Sequence, residues 1–142
     1  DLRIISTALK MITDMERIGD HAVDIAELGL EMAEVDTKTV TNHLAEMSDT
    51  VIKMVHFSIT SFVKHDVELA QATMKEDDTV DQLFQLVKED VVKYAKQGEH
   101  LEQVIIVLMI AKYLERIADH AVNICEWTEF CVTGRWKNAA IL

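Results

Sequence analysis

The chain of 142 residues contains no proline, where average usage of roughly 5% would give about seven. Four glycines add few further breaks. Nothing in such a chain prevents long helices, since the residues that interrupt them are missing. Cysteine is scarce as well. Cys125 and Cys131 carry no CxxC or zinc spacing, which excludes a disulfide scaffold and points to free thiols in a reducing cytoplasm. No apolar run is long: Val104 to Ala111 is the longest, far short of the ~20 residues that span a bilayer. No signal-peptide pattern is present, and the chain opens on Asp1 rather than Met, pointing to residues upstream.

Basic residues are in the minority, 14 against 25 acidic, for a net charge of −11. That field repels nucleic-acid phosphates and disfavours free inorganic phosphate as a direct ligand. Cations or a basic protein surface are the natural partners. No nucleophile–base pair and no glycine-rich phosphate loop argues for catalysis.

What is present is apolar periodicity. Hydrophobic residues make up 49% of the chain, enough for one domain with a single core. Leu2, Ile5, Leu9, Ile12, Met15, Ile18, Ala22 and Ile25 recur in steps of three and four, predicting a first amphipathic helix from Asp1 to about Glu34. Val35-Asp36-Thr37 interrupts it, with Asp36 or Thr37 as the next N-cap. A second helix carries Val40, Leu44, Met47, Val51, Met54, Val55, Ile59, Phe62 and Val63. Asp66 caps a third, which runs through Leu69, Met74, Val80, Leu83, Leu86, Val87, Val91 and Tyr94 to a stop at Gly98. A fourth spans about His100 to Val132 before Thr133-Gly134. Short connections make neighbours antiparallel, so the expected fold class is all-α, an antiparallel helical bundle of four long helices.

The most informative feature is an internal repeat. Glu16 to Glu27 is ERIGDHAVDIAE, and Glu115 to Glu126 is ERIADHAVNICE, identical at nine of twelve positions at an offset of 99. An apolar stripe alone tolerates many residues, yet the repeated positions include the polar ones. At about 100° per residue, Glu16, Asp20, Asp24 and Glu27 fall on one stripe, opposite Met15, Ile18, Ala22 and Ile25. Glu115, Asp119, Asn123 and Glu126 repeat it. Like charges at i, i+4 cost roughly 0.2–0.5 kcal/mol per pair, and a bound cation turns that repulsion into coordination. Asp77 and Asp81 share the spacing, and if their helix lies beside the fourth, two acidic stripes face one cluster. Carboxylate oxygens suit iron, manganese, magnesium or calcium better than a thiophilic metal.

The bland interpretation is a solvated acidic face, which is the commoner fate of any single such pair. Repetition in the same register favours metal. His21 and His120 sit at the edge of the acidic face, suited to packing or to a hydrogen bond behind the ligands. Arg17 and Arg116 are expected beside carboxylates. Met47, Met54, Met74 and Met109 are expected as core filling, while Trp127 and Trp136 suit either the bundle's end or a partner.

The paired signatures Glu16-Arg17-Ile18-Gly19-Asp20 and Glu115-Arg116-Ile117-Ala118-Asp119 resemble those of the PhoU family. Lys64 to Ala70, Glu76 to Asp81 and the opening Asp1-Leu2-Arg3 extend the resemblance over nearly the whole chain. It implies two similar three-helix halves, with residues 1–35 as the last helix of the first and 36–142 as the complete second. The first two helices of the usual six would then lie outside this sequence. It implies metal at Glu16, Asp20 and Asp24 in one site, and at Asp77, Asp81, Glu115, Asp119 and Asn123 in the other. Iron, or another hard cation such as Mn, Mg or Ca, in a multinuclear cluster, is the implied cofactor. The implied role is a non-enzymatic cytoplasmic regulator that restrains phosphate uptake, linking a phosphate ABC transporter to a sensor histidine kinase. With its own half incomplete, the first helix is expected to pack on the other three or to be completed by a second chain, as a homodimer. Two alternatives stand beside this. One is a metal-free helical adaptor with an acidic docking face. The other is a carboxylate-bridged iron enzyme or storage bundle, which needs internal ligands that the apolar stripes do not show.

Overall fold

The computed structural model describes residues 1–32, 38–136 and 139–140. Five helices follow one another: α1 (Leu2–Met32), α2 (Lys38–Lys64), α3 (Val67–Lys75), α4 (Asp77–Gln97) and α5 (Leu101–Thr133). A two-residue antiparallel pairing of β1 (Arg135–Trp136) with β2 (Ala139–Ala140) follows α5. The fold is the expected all-α bundle of four rods, with one difference. The third rod is two helices that share Glu76, where the backbone makes a turn. The break at Val35-Asp36-Thr37, its cap and the expected boundary at 35/36 lie outside the described residues.

Helix ends follow local chemistry. Asp66 caps α3, its Oδ1 accepting from the Leu69 amide at 2.9 Å. Gly98 and Gly134 end α4 and α5 in the left-handed conformation, both at φ 72°, where a side chain would be strained.

α5 is the hub and touches each of the other four helices. α2 presents Leu44, Met47, Val51 and Met54 in steps of three and four, continued by buried Ser58 and Ser61. α4 presents Val80, Leu83 and Val87. Between them α5 buries Val107, Ala111, Leu114, Ala118 and Ala121. Full burial of such aliphatic side chains stabilises by roughly 1.5–3 kcal/mol each, so this layer is the main cohesive element. Met47 and Met54 fill the core as expected, whereas Met109 is 42% exposed. Trp127, Trp136 and Phe130 pack on one another at the end of α5, with the two indoles 4.2 Å apart.

α1 corrects the reading of its apolar stripe. Among the described helices it packs on α5 alone, and Leu2 (79%), Ile5, Leu9 (63%), Ile12 and Met15 are exposed. The packed face is instead Thr7, Met11, Asp14, Ile18, His21, Ile25, Leu28 and Met32. These steps alternate four and three, the spacing of two helices lying along each other. The physical reason is the repeat itself. Ile12 and Met15 correspond to Ala111 and Leu114, which are buried in the core that α2 and α4 complete. α1 has no such pair beside it among the described helices.

α1 and α5 run antiparallel, since Asp14 meets His120 and Asn123 while His21, seven residues on, meets Tyr113. At offset 99 Asp14 corresponds to Tyr113 and His21 to His120. The contact Asp14–His120 therefore maps onto Tyr113–His21, and the seam has a local two-fold relation.

Candidate metal centre

Two acidic elements converge at the α4–α5 contact. Asp77 and Asp81 lie in the first turns of α4, where the helix N-terminus favours negative charge. Glu115 and Asp119 lie one turn apart on α5. The Asp77 carboxyl is pushed up from its ordinary 3.8 to about 6, first by burial and then by the charges of Asp81, Asp119, Asp78 and Glu115. Asp119 is raised as well, by burial, then by Glu115 and Asp81, against the opposing pull of His120 and Lys112. Asp77 Oδ1 is buried with no hydrogen-bond partner. Such an atom normally finds a donor, so its isolation among four acids marks a place short of positive charge. Lys112 Nζ, 2.8 Å from Glu115 Oε1, supplies part of it.

The donor set is all oxygen, carrying more negative charge than its surroundings balance, and it fits a hard cation. Among the described residues, no three His, Cys, Asp or Glu side chains close into a metal-holding group. The four acids thus gather as neighbours rather than as a finished cage.

The other expected ligands lie elsewhere. Glu16 and Asp20 are exposed on α1, with no described helix facing them. Asp24 Oδ2 is 3.7 Å from His21 Nδ1 on the same helix. Asn123 turns to α1, where its amide donates to Asp14 Oδ1 at 3.2 Å. Arg116, expected beside a carboxylate, has its guanidinium carbon 5.7 Å from the Tyr113 ring centre.

Sequence patterning did not single out Asp14. It is 8% exposed on the packed face of α1, with His120 Nδ1 2.9 Å from its carboxylate. Its signal was slight: a charged residue seven before His21, at the spacing of the α1 seam. His120 is bonded to Asp14, a carboxylate outside the expected ligand set, rather than to one of the expected ligands. His21 packs against the rings of Tyr113 and His120 at 5.5 and 5.8 Å.

The model of the PhoU domain matches residues 1–29 and 44–128, which take in both acidic signatures and the Asp77/Asp81 pair. The chain belongs to the PhoU family. It is 33% identical over 136 residues to a phosphate-specific transport system accessory protein PhoU homolog of Clostridium acetobutylicum, covering 95% of this chain and 62% of that one. A Thermotoga maritima PhoU homolog is 36% identical over 136 residues, covering 94% and 59%. The crystal structure of PhoU from Pseudomonas aeruginosa superposes with a TM-score of 0.89 at 30% identity, over 94% of this chain and 65% of that one. The phosphate transport system regulatory protein PhoU from Streptococcus pneumoniae gives 0.86 at 26% identity, over 97% and 66%. The chain therefore spans about three fifths of the length of these curated PhoU relatives. Among the described residues no helix is long and apolar enough to cross a membrane.

Proposed function

We propose that the protein is a non-enzymatic, metal-binding accessory regulator of phosphate transport. In this reading Asp77, Asp81, Glu115 and Asp119 hold a hard cation across the α4–α5 contact. The observation that carries it is the partnerless Asp77 Oδ1 within four mutually repelling carboxylates. A cation there relieves the repulsion and ties the start of α4 to the middle of α5, fixing the surface both helices present. Iron, manganese, magnesium or calcium suits these oxygen donors, in a mononuclear or multinuclear site. Asn123, bonded to Asp14 at the α1–α5 seam, is not part of this site. Glu16, Asp20 and Asp24 form a second acidic ladder, a weaker site because only one helix supplies it.

PhoU membership supports the regulatory role, which we place in the cytoplasm between a phosphate ABC transporter and a sensor histidine kinase, as a brake on uptake and with a homodimer as the working form. The test is elemental analysis and anomalous scattering on wild type and on Glu115→Gln/Asp119→Asn. Metal lost from the α4–α5 contact in the double variant is the expected result; equal metal in both rejects the assignment. Light scattering decides the dimer, and co-purification with the transporter decides the partner. A second reading, a metal-free adaptor whose acidic face docks a basic protein surface, is favoured by the lack of a closed ligand set among the described residues. Wild type purified without chelator and devoid of metal selects it.

A further inference from the structure

The turn between α2 and α3 is short, with His65 in the left-handed region at φ 52°, so the two helices fold back on each other. Their adjoining sides leave a groove of about 310 Å³, at the lower end of the ~300–1,000 Å³ of ligand pockets. α2 lines it with Thr50, Lys53, Met54 and Phe57, while α3 and its C-cap supply Leu69, Ala72, Thr73 and Glu76. Both sets recur in steps of three and four, the rows that a packed helix surface presents. Met54 and Thr73 are buried beneath it, and Phe57 is 41% exposed.

The walls call for no polar ligand. The Thr50 hydroxyl donates to the Glu46 carbonyl at 3.0 Å, and the Thr73 hydroxyl donates to the Leu69 carbonyl at 2.8 Å. Both hydroxyls are thus satisfied within their own helices, and the remaining surface is apolar. Of the lining residues only Lys53 and Glu76 carry charge, one on each helix. Both are exposed, and neither is ion-paired among the described residues.

We propose that this groove docks an amphipathic α-helix of a partner protein. The partner's apolar stripe covers Met54, Phe57, Leu69 and Ala72, with an acidic flank at Lys53 and a basic flank at Glu76. Two adjoining rows of helical ridges receive a third helix, whereas an extended strand finds no open backbone edge to pair with. An all-acidic helix is repelled at Glu76 and an all-basic one at Lys53, so the rims select a partner carrying both signs. The proposal does not depend on metal at the α4–α5 contact.

The test titrates the whole chain with three designed helical peptides that share one leucine stripe. Their flanks are glutamate on one side and lysine on the other, lysine on both, or glutamate on both. The mixed peptide should bind wild type about fivefold more tightly than either of the others. Lys53→Glu, a surface change, should transfer the preference to the lysine-flanked peptide. Ala72→Trp, on an exposed wall position, should fill the groove and abolish binding of all three while leaving the melting temperature unchanged. Amide shifts on adding the mixed peptide should fall on residues 50–57 and 69–76. Any of four results overturns the proposal: no binding of any peptide at about 1 mM, shifts on α1 with its exposed apolar stripe instead, undiminished binding by Ala72→Trp, or an unaltered preference in Lys53→Glu.

Discussion

The Asp14 carboxylate on α1 lies 2.9 Å from His120 Nδ1 on α5, and the same oxygen accepts from Asn123. This part-buried polar knot is a specific tie between α1, which among the described helices touches α5 alone, and the bundle that surrounds α5. Apolar contacts along the seam are non-directional, so the knot sets where α1 stops sliding.

Replacing Asp14 with alanine leaves His120 and Asn123 without their shared acceptor. Hydrogen bonds to a charged group contribute about 1.5–3 kcal/mol, and a loss of that size should appear mainly in α1. Hydrogen exchange should show α1 amides losing protection by at least tenfold while α2, α4 and the middle of α5 keep theirs. Uniform loss across all helices would contradict a local tie.

The two faces of α1 can be separated by substitution. Leu9 is 63% exposed and Met11 is 4% exposed on the seam to α5. Leu9→Gln should change unfolding free energy by no more than about 0.5 kcal/mol, as surface changes do. Met11→Gln buries an amide with no prepared partner and should cost about 2 kcal/mol. Urea denaturation of both variants decides which face is packed.

Those two residues also show what the sequence could not say. Periodicity identifies an apolar face and is silent on whether a neighbour covers it. Ile12 and Met15 have the periodicity of a buried stripe, yet it is their α5 counterparts, Ala111 and Leu114, that lie in the core with α2 and α4. Asp14 was hidden for a related reason, since a single acid on a helix looks solvated until a histidine from 106 residues away is seen beside it. The break at Glu76 escaped notice because neither glycine nor proline marks it. By contrast, Asp66, Gly98 and Gly134 end helices through their own chemistry and were legible. The gathering of Asp77/Asp81 with Glu115/Asp119 was expected only on the condition that their helices lie side by side, which polar spacing alone does not decide.

Asp77 gives a pH signature. Its folded-state carboxyl titrates near 6 against an ordinary 3.8, so the folded form holds its proton more tightly than the unfolded form. Stability from this group is present below about pH 4 and is lost as pH rises through about 6. Asp77→Asn should therefore melt higher than wild type at pH 7.5 in chelator, and should match it at pH 4. Manganese should raise the wild-type melting temperature more at pH 7.5 than at pH 5, where protons compete for the same oxygens. A wild type equally stable at pH 4 and 7.5 in chelator, with no gain from Asp77→Asn, would remove the argument for repulsion.

Cys125 should be inert. Burial pushes its thiol up to about 12, leaving at pH 8 about one molecule in ten thousand as reactive thiolate. Both cysteines are buried. A thiol reagent should label neither in the native protein over minutes, and both at once in urea. Rapid native labelling of Cys125 would show that the α2–α5 contact around Ser61 opens.

The two-fold relation across α1 and α5 breaks where Asp14 of α1 corresponds to Tyr113 of α5, and that difference discriminates. An α5 helix arriving from another molecule would offer Tyr113, not an acid, to His120. Only α1 brings Asp14 to that place. The difference between Asp14 and Tyr113 thus lets α5 tell a first helix from a copy of the last, and biases assembly against pairing two α5 helices with each other.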